Sequence, residues 1–370
     1  MNRRNTYVLW FISLFVFIQE AYTQELDSLL PTPTRLELVS VMSDLNAFNR
    51  IHDIEVRDGI AYLAGKGGSL AVVDVKFPAK PQLLWYVNDL VEYEDTETVM
   101  LLGQDRLLVG TRDVLLFDIA EPAQPLLLAR LQNEGSIDHI NGFARKSNKV
   151  FGTNKNGYIF AVKISNLDTL SLIRERETRI SGELDSPHDI AFSGDLLVVV
   201  SPEGFGSRPG RLVVYRVFDP SSGKLLPSSQ WEIVGKIEHL KLAGANRIKI
   251  QGNLAAVASS VILANIPPNE NLRNNVAIVD LTNPAKPRLR DSINFPSRDH
   301  GPHGLEFVGN TVFAAGGLVQ AIDVSDPDNL QQRAVLSIPA PFAASNDLVL
   351  VGNYLFCTSP YSLVVIRVVL

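Results

Sequence analysis

Cysteine is nearly absent: Cys357 stands alone among 370 residues, so no intrachain disulfide can hold the fold together. It sits between Phe356 and Thr358 in an apolar run, where a buried inert thiol is expected rather than a nucleophile. Basic surplus is missing too. The formal net charge is −6, and no basic stripe with interleaved aromatics occurs, which argues against nucleic acid as a ligand. Past the N-terminus no run of 18 apolar residues exists, so no transmembrane helix is expected in the mature chain. The Gly-x-Ser-x-Gly, His-Glu-x-x-His and Gly-x-Gly-x-x-Gly signatures of common hydrolases, metalloproteases and dinucleotide enzymes are likewise missing.

What is present is repetition. Leu70-Ala71-Val72-Val73-Asp74-Val75 returns as Val114 to Ile119, as Val276 to Leu281 and as Val319 to Val324. A Pro-containing segment follows each copy: Phe77-Pro78, Glu121-Pro122, Asn283-Pro284 and Asp326-Pro327. Weaker copies at Tyr158 to Ile164, Leu212 to Val217 and Leu363 to Val368 put Lys163, Arg216 and Arg367 where the others have Asp. The marker positions 74, 118, 163, 216, 280, 323 and 367 are separated by 44, 45, 53, 64, 43 and 44 residues. A period in the low forties built from short Val-, Ile- and Leu-rich runs fits one four-stranded propeller blade per repeat. Helical repeats would show apolar residues at i, i+3, i+4 and i+7, and these runs do not.

One repeat resolves into strands a (Ile54 to Arg57), b (Ile60 to Ala64), c (Leu70 to Val75) and d (Gln82 to Val87). The a–b turn Asp58-Gly59 recurs as Gly194-Asp195, Gly252-Asn253, Gly309-Asn310 and Gly352-Asn353. Gly, Asn and Asp suit the left-handed conformations that tight hairpins require. Gly65-Lys66-Gly67-Gly68 precedes no helix, so it reads as a b–c loop and not as a phosphate cradle.

The strand-c signatures LAVVDV, VLLFDI, VAIVDL and VQAIDV resemble the LVIVD-repeat family, and the resemblance extends over roughly residues 50 to 370. It implies a β-propeller, typically of exported proteins, and brings no catalytic residues with it. Closure can be read independently. The last repeat ends after its strand c, while Thr34 to Met42 is a strand with no a, b or c before it. The expected fold is therefore an all-β, seven-bladed propeller over residues 34–370, with strand 34–42 completing the last blade and removing an open edge.

The N-terminus reads as a secretory signal: Arg3 and Arg4, an apolar stretch from Tyr7 to Ile18, and Ala21-Tyr22-Thr23 before a cleavage site. Residues 1–23 are the expected signal peptide and 24–33 a short leader, giving an extracytoplasmic (secreted or periplasmic) protein. An uncleaved anchor is the alternative.

Function should sit where the repeats line the mouth of the central channel. The position just before each inner strand reads His52, Glu97, Asn141, His188, Asn246, His303 and Asn346, all polar. The next position reads Asp53, Thr98, Gly142, Asp189, Arg247, Gly304 and Asp347. His52, His188 and His303 with Glu97 are the donor types that a transition metal takes. Hydrated channel lining and contact with an organic ligand are the other readings. Two long b–c loops, Ser201 to Arg211 and Val261 to Asn275, are expected on the same face, and the acidic run Asp89, Glu92, Glu94, Asp95 and Glu97 reads as solvated charge. The reading that results is an exported binding or interaction module for an unknown protein or small ligand. The alternative is a metal-dependent lyase or oxidase acting at the channel mouth.

Overall fold

In this computed structural model, described residues are 32–132, 137–164, 172–179 (backbone), 186–202, 209–260, 274–297, 300–342 and 344–370. The expected signal peptide and most of the expected leader lie outside them, as do 203–208 and 261–273, the greater part of the two segments read as long b–c loops.

Apolar runs of five to eight residues punctuated by turn formers leave the chain one way to bury both faces, which is to stack short sheets side by side. The result is seven four-stranded antiparallel sheets. Blade one consists of strands a (Ile51–Arg57), b (Ile60–Gly65), c (Ser69–Asp74) and d (Gln82–Asn88). Each inner strand touches the next one around the ring, and that of blade seven (Leu348–Val351) touches that of blade one, so the structure is a closed seven-bladed β-propeller. The core divides into seven apolar clusters, each lying between two adjacent blades. Ile60, Tyr62, Leu70 and Val72 of blade one pack on Val99, Leu107, Val109 and Leu115 of blade two, for instance.

The a–b turns are as tight as the sequence implies. Gly194, Gly252, Gly309 and Gly352 take φ of +58°, +58°, +56° and +59°. Gly68 in the b–c loop of blade one has φ +82°, and a Cβ there would sit 2.8 Å from the Asp89 carbonyl oxygen, so its role is in the backbone.

The repeated Asp has a local cause. The Oδ1 atoms of Asp74, Asp118, Asp280 and Asp323 accept from the backbone N–H two residues on, at 2.8–2.9 Å, which turns the chain from strand c toward strand d. Asp280 and Asp323 also pair with Arg290 and Arg333 on strand d, at 2.9 and 2.8 Å. In two of the three repeats that lose the Asp, a cross-strand pair survives with its signs exchanged: Arg216 meets Glu232, and Arg367 meets Glu37. In the third, Lys163 stands opposite Ile173, so no such pair is formed across those positions.

Closure follows the expected route. Strand d of blade seven is Arg35–Ser43, antiparallel to Ser362–Val369, with Arg35 opposite Val369 and Ser43 opposite Ser362. The pairing shifts by one residue between Leu38 and Ser40. Leu36 of this strand is buried in the cluster shared by blades six and seven. Cys357 lies fully buried on strand b of the same blade, where burial pushes its thiol pKa up.

One feature of blade four differs from the expectation. Part of its extra length lies between strand c (Gly210–Arg216) and strand d (Glu232–His239), on the face opposite the mouth. There a small hairpin closes at Phe218 and Leu225, and a 3-10 turn covers Ser228–Gln230. Phe218 and Trp231 from this excursion cover Phe151 of blade three, with ring centroids 5.8 and 5.9 Å apart.

Candidate ligand site at the channel mouth

The seven mouth positions divide by blade. On blades one, three and five the ladder between strands a and b skips one residue, leaving His52, Asn141 and Asn246 as the bulged residues. These residues lie inside their strands, not before them as the sequence suggested, because a bulge re-aims the side chain without ending the strand. Each ties its blade to the next. Nδ2 of Asn141 donates to the Pro187 carbonyl at 3.0 Å, and that of Asn246 to the Pro302 carbonyl at 3.2 Å. On blade seven Asn346 donates to the Ile51 carbonyl at 2.8 Å, and on blade one His52 Nδ1 donates to the Glu97 carbonyl at 3.1 Å. Four of the seven positions thus bond to a carbonyl of the next blade. Glu97 instead links its blade to both neighbours through its carboxylate, while the side chains of His188 and His303 form no blade-to-blade link among the described residues.

Glu97 is fully buried. Its carboxylate is gripped by Lys66 on one oxygen and by Lys155 on the other at 2.8 Å, while Lys155 also meets Asp95 at 2.7 Å. The acidic run is therefore solvated only in part: Asp89, Glu92 and Glu94 are exposed, Asp95 is half-buried and Glu97 is buried. Glu92 pairs with Arg130, Glu94 with Arg112, and Asp95 and Glu97 with Lys155, while Asp89 accepts from the N–H groups of Val91 and Glu92.

His52, His188 and His303 do come together. With Arg50, Lys66, Asn346 and Pro360 they line one cavity of about 200 Å³. Burial, then the positive charge of Lys66, holds His52 and His188 well below the usual imidazole range; burial takes His303 down to about 4. All three are neutral at pH 7. His303 Nδ1 donates to the Gly301 carbonyl at 3.0 Å. A carbonyl only accepts, so in the neutral rings of His52 and His303 the proton sits on Nδ1 and Nε2 carries a bare lone pair. The imidazole of His188 has no hydrogen bond among the described residues.

Convergence does not make these residues a metal centre. Among the described residues no three His, Cys, Asp or Glu side chains are grouped so as to hold a metal ion. The proposed fourth ligand, Glu97, is neutralised by two lysines, and Lys66 in the cavity wall would repel a cation. The lyase or oxidase alternative therefore gains no support from this arrangement.

A second layer lies one residue deeper. Arg247, buried on strand a of blade five (Ala245–Gln251), is 3.8 Å from Asp53 and 3.7 Å from Asp347. It also donates to the carbonyls of His303 at 3.2 Å and Asn346 at 3.4 Å. One guanidinium thus joins blades one, five, six and seven across the axis. Asp53 and Asp189 each accept the N–H of the next inner strand, from Val99 and Ile248, both at 2.9 Å. Burial pushes Asp347 well above the usual carboxylate range, and the neighbouring Asp53 adds to the shift against the pull of Arg247. Burial opposes the charge of Asp53 too, but the hydrogen bond with Asp347 and the charge of Arg247 outweigh it, so Asp53 stays below its ordinary value.

Deeper still, Glu55 lines the same channel as Lys249. Burial pushes the Glu55 carboxyl up to about 7, against the pull of Lys249. In the unfolded chain the group titrates near its ordinary 4.5, so between pH 4.5 and 7 the folded state holds the extra proton. Glu55 therefore contributes stability that is complete below about pH 4.5 and lost as pH rises through 7. The 2.5-unit displacement corresponds to about 3 kcal/mol. Urea unfolding of Glu55→Gln should show a stability advantage over the parent at pH 8 that shrinks toward pH 5. An equal difference at both pH values would contradict this assignment.

Comparison with known families agrees with the fold. A family model described as the LVIVD repeat matches residues 51–89, which takes in all four strands of blade one. The chain therefore carries an LVIVD repeat, and the resemblance drawn from the strand-c signature stands. No curated protein matches the chain. No helix among the described residues is long and apolar enough to cross a membrane.

The sequence did not single out Arg50, Lys66 or Lys155. Lys66 sits in the Gly65–Gly68 loop, read only for its glycines, and Arg50 lies two residues before the bulge. A signal for Arg50 does exist in the repeat alignment. The residue two before the mouth position is left-handed in five blades, at Arg50, Asp95, His139, Gly244 and Ala344, and only blade one places a strong cation there.

Proposed function

We propose that the protein is an exported propeller that acts as a binding module, taking its ligand in the cavity at the channel mouth. The observation that carries this reading is the lining of that cavity. Its Arg50 guanidinium and His188 imidazole have no hydrogen-bond partner among the described residues, although nearly every other polar group of the mouth is tied to a neighbour. Polar groups left unpaired at the wall of a rigid concave site suit an incoming ligand. Export rests on the Arg3-Arg4 start, the apolar stretch to Ile18 and Ala21-Tyr22-Thr23. The long b–c loops, from Ser201 and Val261, would add walls to the same face.

Mass spectrometry of the protein purified from its own host tests both parts. Under native conditions the parent should carry an added mass that the Arg50→Asn/His188→Ala double variant lacks. Under denaturing conditions the chain should begin at Gln24. A ligand-free parent, or an adduct retained in the double variant, would overturn the mouth as the binding site. An intact Met1 would overturn export.

A further inference from the structure

The chemistry of the mouth cavity also restricts what can occupy it, provided the cavity is the binding site. Although the chain has a net charge of −6, no carboxylate among the described residues lines this cavity. Its wall has two cations, Arg50 and Lys66, three imidazoles and one amide. Lys66 is held in place from behind by the buried Glu97, which leaves the other hydrogens of its ammonium group available. Arg50 is exposed and has no ion pair or hydrogen bond from its side chain among the described residues, so its planar fork of donors is free. The two cations of the wall, Arg50 and Lys66, less the Glu97 carboxylate behind Lys66, leave a balance of one positive charge. Lys155 and Asp95, which lie behind Glu97, cancel each other. A single negative charge fits that balance, and a guanidinium accommodates a carboxylate with two parallel hydrogen bonds.

The imidazoles add a second requirement. The Nδ1–H groups of His52 and His303 are spent on the carbonyls of Glu97 and Gly301. Their Nε2 atoms are therefore acceptors. A bare carboxylate offers them nothing to accept, whereas a ligand that also carries a hydroxyl hydrogen does. A cavity of about 200 Å³ holds only a small molecule.

We infer that the mouth cavity binds a small hydroxycarboxylate, its carboxylate on Arg50 and Lys66 and its hydroxyl donating to an imidazole of His52 or His303. Arg50 is a binding residue in this arrangement. The site is assembled from blades one, four, six and seven, so it exists only in the closed ring.

Three probes of one carbon skeleton test the assignment: lactate, propionate, which lacks the hydroxyl, and lactamide, which lacks the charge. The readout is the histidine ring Cε1–H signals in proton–carbon NMR spectra of the full-length mature protein. Lactate should move the His52, His188 and His303 signals saturably. Propionate should bind about tenfold more weakly, the loss of one hydrogen bond to a buried acceptor. Lactamide should not compete. Arg50→Asn removes the charge with a residue that tolerates the left-handed backbone at this position, so the fold is preserved, and it should weaken lactate by about tenfold or more. Equal affinity for lactate and lactamide, no response to lactate, or an Arg50→Asn variant that binds like the parent would overturn the inference. If the protein from its host carries a mouth ligand while lactate and propionate leave these signals unmoved, the binding-module reading stands and the hydroxycarboxylate assignment falls.

Discussion

Replacing Arg247 with Met should cost about 3–5 kcal/mol of stability, the scale seen when one partner of a buried charge network is removed. The guanidinium lies between Asp53 and Asp347 and caps the carbonyls of His303 and Asn346, so its loss orphans groups on three other blades at once. Met has the volume to fill the space, so the cost is electrostatic and not that of a cavity. The variant Arg247→Met/Asp347→Asn should recover part of the loss, because Asp347 is the carboxyl that burial and its neighbour Asp53 most strongly disfavour as a charge. Urea unfolding at pH 7 measures both. An Arg247→Met variant within about 1 kcal/mol of the parent would show that the axial network is not a stabilising element.

Deleting residues 32–43 should have an effect at least as large. The strand they form supplies the whole outer ladder of blade seven and buries Leu36, with Val39, Val41 and Met42 packed on the adjoining clusters. Without it, Ser362–Val369 becomes an unpaired edge and the ring is held shut by side-chain contacts alone. The loss should amount to about 5 kcal/mol or more, comparable with the whole stability of an ordinary domain, and the truncated chain should associate through its open edge. A synthetic peptide of residues 32–43 added in trans should restore monomeric behaviour by strand addition. A truncated protein as stable and as monomeric as its parent would refute closure by this strand.

Much of the architecture was legible because it is written in short-range chemistry repeated seven times. Asp74, Asp118, Asp280 and Asp323 each act on the N–H two residues away, so a local motif reports a local turn. The unmatched strand at 34–42 and the missing outer strand after Val368 are complementary deficits, visible before any coordinates. Charge exchange at Arg216 and Arg367 was not legible as a pair, because Glu232 and Glu37 are brought opposite them only by register. The c–d excursion of blade four was similarly hidden, since an interval of 64 residues between markers does not say which connection is long.

At the mouth, position in the repeat located His52, His188 and His303 correctly on one rim, but what they could do was settled by neighbours distant in sequence. Lys66 and Lys155, 31 and 58 residues from Glu97, take up its carboxylate and turn a candidate metal ligand into the counter-ion of two lysines. Carbonyls at Glu97 and Gly301 fix the imidazole tautomers. The sequence by itself determined the strands, the turns, the seven blades and their closure, because each depends on propensity and alternation within a few residues. Only the tertiary structure decided which polar residues at the mouth are blade-to-blade links and which have no partner among the described residues. That distinction depends on burial and on partners from other blades, and neither exists until the ring is closed.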